Sequence, residues 1–188
     1  MQNKTSLPLL TLLALFILSC NLINSKKEDK ISNQNNTTPK GFLLSNIVVH
    51  AFSDPILKDT FKLFLKGDSI VSGRIIFQII SHNNKLIYNE TFPASDLLGD
   101  NDLDSTSKQK EDDIAKSFND FFIEKQFIVP ATALDSNLDL ENVDKRIWND
   151  IKSDPTAIGF EYAVGYETVI SIAYSKKKKK VVTYFEGD

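Results

Sequence analysis

The chain has 188 residues, 41% of them hydrophobic, with 25 acids against 22 bases and a formal net charge of −3. That is one domain's length of chain, and so small a net charge argues against a nucleic-acid binder. A single Cys excludes an internal disulfide and a thiolate-rich zinc site, and two His leave little for histidine-based chemistry.

Residues 1–19 open with a short polar stretch carrying Lys4. An apolar run from Leu7 to Leu18 follows, interrupted by Pro8 and Thr11. A run of this length is too short to span a bilayer, which takes ~20 residues, and fits the core of a signal peptide. It ends in Ile17-Leu18-Ser19-Cys20. This segment resembles the lipobox of bacterial lipoproteins. The resemblance implies cleavage before Cys20, a lipid on its sulfur and membrane attachment through that lipid. An ordinary secretory signal with a chance Cys is the alternative. Asn21 follows Cys20 where lipoprotein sorting often uses Asp to signal inner-membrane retention, so the resemblance favours the outer membrane.

Residues 20–40 are rich in Asn, Lys, Ser and Thr and almost free of apolar side chains after Ile23. Such a segment buries too little surface to offset its ordering entropy. It is expected to be a flexible tether with a reach of ~25 Å. Residues 41–188 are expected to form a single folded domain.

Within that domain the first half reads as strands. Phe61, Leu63 and Leu65 share one face of an alternating segment, and Gly67-Asp68 signals a turn. Arg74 to Ser81 is rich in β-branched residues, with Ile75, Phe77 and Ile79 on one face. His82-Asn83-Asn84-Lys85 then forms a hairpin turn into Leu86-Ile87-Tyr88, and Pro93 ends the strand. A weaker strand lies near Ile47–Phe52.

The period changes in the middle. Ile114, Phe118, Phe121 and Phe122 form the stripe of an amphipathic helix. Glu111, Asp112 and Asp113 are expected in its first turn, where acids suit the helix dipole. Val143, Ile147, Trp148 and Ile151 make a second, shorter stripe closed by Pro155. Strands return with Phe160, Tyr162 and Val164, and then with Val169–Tyr174 and Val181–Phe185 around Lys176–Lys180. The expected fold is α+β, a mainly antiparallel sheet of about six strands with two helices on one face. This layout is similar to that of small bacterial lipoproteins, a resemblance that carries no motif and no activity.

Four patterns could carry chemistry. Gly67-Asp68-Ser69-Ile70 resembles the nucleophile block of GDSL hydrolases, and Gly99-Asp100-Asn101-Asp102 a later block of that family. The family's catalytic base is a His near the C-terminus, and no His follows His82 here. Ser69 therefore reads as a turn residue. Asp100, Asp102, Asp104 and Glu111 stand at positions 1, 3, 5 and 12 of a calcium loop. Ser105 replaces the Gly of position 6, so an acidic loop entering a helix is the simpler reading. Lys176, Lys177, Lys178, Lys179 and Lys180 form a basic run. It is either a solvated hairpin tip or a contact patch for anionic lipid headgroups or an acidic polymer. His50 and His82 stand apart from any metal-ligand spacing.

No cofactor is implied and no catalytic constellation is complete. The expected class is a lipid-anchored envelope protein acting as a binding or interaction module, with an envelope protein as a candidate partner and no nucleic acid. The alternative is an envelope enzyme whose carboxylates assemble in three dimensions.

Overall fold

The alternation of apolar residues along the early strands is met by an antiparallel meander, seen in a computed structural model that describes residues 38–99, 106–132 and 143–187. Strands β1 (Leu44–Ala51), β2 (Lys58–Lys66), β3 (Arg74–Ile80) and β4 (Leu86–Pro93) pair in sequence order. Strands β2 and β3 bury every second side chain on a single face, to which β1 adds Asn46 and Val48 and β4 adds Phe92. Phe61, Leu63 and Leu65 of β2 and Ile75, Phe77 and Ile79 of β3 are fully buried. The register Phe61↔Ile79, Leu63↔Phe77 and Leu65↔Ile75 sets them side by side. Asn84 takes a φ of +61° in the β3–β4 turn, the conformation its short amide tolerates. At the other end of the sheet, a Cβ on Gly67 would sit 2.7 Å from the Cα of Gly73, so the β2–β3 turn closes only on glycine.

A second meander contains β5 (Phe127–Ile128), β6 (Gly159–Val164), β7 (Thr168–Ser175) and β8 (Lys180–Gly187), again in sequence order. The expected single sheet of about six strands is therefore two antiparallel sheets of four strands each. With two helices the chain is α+β in the broad sense.

The sheets meet through aromatic rings. Phe61 and Phe77 of the first approach Phe160 of the second at 5.5 and 5.6 Å between ring centroids. One buried cluster runs from Val48 and Leu65 across to Ile172 and Val181. Into this cluster the chain sends Ile114 and Phe118 of α1 (Ser107–Asn119). Thr106 caps it: its hydroxyl accepts the N–H of Gln109, whose side-chain oxygen accepts the N–H of Thr106. Because the helix starts this early, Glu111, Asp112 and Asp113 lie in its second turn and not its first. The apolar stripe is real but outlasts the helix. Ile114 and Phe118 lie on α1, whereas Phe121 and Phe122 lie on the 3-10 turn Asp120–Phe122, and all four are buried. Asn46 of β1 donates to the carbonyls of Phe118 and Asn119, two acceptors that the ending helix leaves unpaired.

The second helix, α2 (Lys145–Lys152), lies on the far side of the second sheet. Trp148 and Ile151 pack there with Ala173, Val182 and Tyr184. The Tyr184 hydroxyl donates to the carbonyl of Ala131 at 2.7 Å. It passes so close to Gly159 that a Cβ there would lie 2.7 Å from it. The helices thus do not share one face: α2 covers the outside of the second sheet, and α1 joins the core between the sheets.

Candidate functional site

The first sheet has two faces, and only one is filled. Its outward positions are set by register: Ile47 opposes Lys62, Phe64 opposes Ile76, and Ile80 opposes Leu86. These apolar side chains are half-exposed or exposed, and Leu86 is 49% exposed. Phe42, entering from the N-terminal side, stacks on Phe64 at 4.6 Å. Lys58, Lys62, Lys66 and Arg74 stand among them, and no outward strand position carries an acid. Asp96, below β4, is the acid that senses Arg74. Burial holds its carboxyl above the usual range, against the pull of that guanidinium.

The β1–β2 loop at the upper end of this face is built. Asp54 accepts the N–H groups of Ile56 and Leu57 at 2.8 and 2.9 Å, which holds its carboxyl below the usual range. The effect is to stand Ile56 out at 81% exposure, with Leu57 at 50%. Asp59, fully buried, accepts the N–H of Ser53 at 2.6 Å and that of His82 at 2.7 Å. The Nδ1 of His82 lies 3.3 Å from the same carboxylate. An Asp behind a His is the geometry that orients a general base. Here, though, the carboxylate ties two turns together, and Ser53 Oγ is buried without a hydrogen-bond partner. Sequence reading missed this pair because its members lie 23 residues apart and meet only through strand register.

Between the sheets the hydroxyls of Tyr88 and Tyr162 both donate to Glu90, and lie 2.8 Å from each other. Burial, with Glu90, pushes both phenols far up; Tyr88 adds to the rise at Tyr162, whereas the bond with Tyr162 works against it at Tyr88, and both stay neutral donors. Chemically this is a polar staple joining β4 to β6. An open cleft of about 330 Å³ lies at the lower end, lined by Asp96, Lys116, Asp120, Lys125, Gln126 and Tyr166 among others. Its Asp120 is paired with Lys116 at 3.1 Å.

Of the residues singled out in the sequence, Cys20, Asp100, Asp102 and Asp104 lie outside the described residues. Glu111 sits on α1. Ser69 occupies the β2–β3 turn, its hydroxyl 2.8 Å from that of Ser72, with no His among its hydrogen-bond partners. His50 stacks on Phe127 at 3.7 Å and reaches Glu124 at 3.4 Å. The lysine run forms the β7–β8 tip, all five residues exposed, with Lys180 as the first residue of β8. Lys176 is engaged: its ammonium lies 2.7 Å from Asp154, beyond the end of α2. Among the described residues no helix is long and apolar enough to cross a membrane, and no three His, Cys, Asp or Glu are grouped to hold a metal. Comparison with protein-family models, with curated proteins and with solved structures finds no match.

Proposed function

We propose that the chain is a lipid-anchored cell-envelope protein that carries a binding or interaction domain on a tether. The observation that carries this reading is positional. The only Cys follows a 12-residue apolar run and a small Ser, and gives way to a polar segment. Anchorage takes more than one acyl chain, because a single chain gives only marginal membrane binding. Diacylglycerol on the Cys20 sulfur with a further chain on the freed amine meets that need. Asn21 favours the outer membrane.

The interaction role is supported by the half-exposed apolar and basic face of the first sheet, a surface suited to binding by contact. The test is growth with labelled palmitate, followed by electrophoresis of wild type and Cys20→Ala. The wild-type band carries label, and the variant appears unlabelled as precursor or as soluble protein. An unlabelled wild type, or an equally labelled variant, overturns the reading.

A further inference from the structure

We infer that the outward face of the first sheet is a docking surface for an anionic lipid bilayer, on which the domain lies flat. The inference rests on the lipid-anchor reading and adds where the membrane touches the domain. Three observations converge on it.

The first is charge. Between Gly41 and Asp188 the sequence carries 23 acids against 17 bases, yet this face holds Lys58, Lys62, Lys66 and Arg74, while the two acids of its strands, Asp59 and Glu90, point to the other face. A segregated cationic face on an acidic domain complements an anionic surface. It also argues against a second copy of the chain, since face-to-face pairing would set four bases against four.

The second is the apolar content. Ile47, Phe64, Ile76 and Ile80 alternate with the bases on the sheet, and Leu86 and Leu57 stand exposed at its upper rim. Lysine stems lie along such a surface while their ammonium groups reach the headgroups. The rim loop is held by the Asp54 carboxylate, so its apolar side chains are presented without a further ordering cost.

The third is where the chain enters. Thr38 Oγ1 lies 3.5 Å from the hydroxyl of Ser45, an outward residue of β1. Thr38, the first described residue, therefore lies at the lower edge of this face. On the anchor reading, a flexible segment running back to Cys20 is expected to reach ~25 Å, close to the ~26 Å of an eight-residue strand, which would keep a lipid on Cys20 within range of the face.

The test uses the lipidated full chain reconstituted in vesicles of phosphatidylcholine, with or without phosphatidylglycerol. The lipid occupies the sulfur of Cys20, so a Cys at Thr60, between Lys58 and Lys62, is the only free thiol and takes a fluorophore. A second protein carries its label at Lys152→Cys on α2. Quenching by acrylamide, a neutral solute, is expected to fall severalfold at residue 60 when phosphatidylglycerol is present and to stay unchanged at residue 152. Replacing Lys58, Lys62 and Lys66 by Glu, or raising the salt, should restore it. Replacing Lys177, Lys178 and Lys179 by Glu at the hairpin tip should not.

Protein that stays with the vesicles while residue 60 remains open overturns the docking face and leaves the anchor standing. Protein that leaves both kinds of vesicle overturns the anchor and the docking together. Shielding in native membranes but not in pure lipid assigns the face to a protein partner and overturns the inference. Shielding abolished by the tip variant but not by the face variant moves the contact to the lysine run and overturns it as well.

Discussion

Along β2 burial alternates residue by residue, whereas β7 buries four consecutive residues, Ile170 to Ala173. The two strands have similar lengths, but β2 carries Lys58, Asp59, Lys62 and Lys66 whereas β7 carries no charged residue, and this difference in composition follows the surroundings of each sheet. What separates them is the number of layers each sheet touches. The second sheet lies between the first sheet and α2. Ile170 and Ile172 enter the aromatic core, and Ala173 packs toward Trp148. The first sheet has the aromatic core on one side only. A sheet covered on both faces reads as a continuous apolar run, and one covered on a single face alternates. An alternating sheet whose outward positions still hold Phe64, Ile76 and Ile80 has apolar surface left over from folding.

The sharpest way to break this comparison is to delete one ring from each face of the first sheet. Phe77 is fully buried among Tyr88, Phe121, Phe122 and Phe160. Phe77→Ala is expected to cost ~3–5 kcal/mol in chemical denaturation, the range for emptying a packed aromatic site. Phe64→Ala loses only a half-exposed ring and its stack on Phe42, and should cost about 1 kcal/mol. Similar losses from the two would mean that the outward face is packed as tightly as the core, which the comparison denies.

Much of this contrast was legible in the sequence. Phe61, Leu63 and Leu65 announce a core face, and the same segment places Lys62 and Lys66 on the opposite one. The hairpin at Asn83-Asn84 and the stripe from Ile114 to Phe122 were equally plain. Alternation, however, identifies faces and does not say which strands are neighbours, so two meanders read as one sheet. The two-residue β5 is too short to carry any period. The Thr106 cap moved α1 earlier than its acids suggested, because a capping box outweighs a weak preference of acids for the dipole. The candidate face was half visible as a row of bases, but its openness depends on where α2 packs. Likewise, the lysine run was obvious while the engagement of Lys176 with Asp154 was not, since that contact spans two elements.

A finer test adds volume where the comparison says there is none. Ala173 is fully buried between the second sheet and α2. Ala173→Leu should cost ~1–3 kcal/mol by overpacking. Thr60→Leu on the outward face of the first sheet should change stability by less than about 0.5 kcal/mol. Equal tolerance at the two positions would show that α2 lies loosely on its sheet.

The smallest expected effect concerns how the second sheet is tied to its helix layer beyond packing. Asp154, just past the end of α2, accepts from Lys176 at 2.7 Å and from the hydroxyl of Thr156 at 2.7 Å. Burial pushes its carboxyl up, but the side-chain bonds from Lys176 and Thr156 and the N–H of Thr156 outweigh this and hold it below the usual range. A carboxyl whose folded pKa lies below its unfolded one adds stability that is complete above the unfolded value of ~3.9. That stability is lost as pH falls through the lower folded value. The Lys176 side chain is 55% exposed, so solvent screens the pair, and the gain at neutral pH should be about 1 kcal/mol or less. Asp154→Asn is expected to cost that much at pH 7. The two proteins should then converge as pH drops below ~4, read as denaturation midpoints across the acid range. A gap that widens on acidification would reverse the sign and show that the Asp154 carboxylate opposes the fold, leaving the lysine tip to the Thr156 hydroxyl, which accepts from Lys176 at 3.1 Å, and to Ser175, whose hydroxyl accepts the N–H of Lys178 at 2.9 Å.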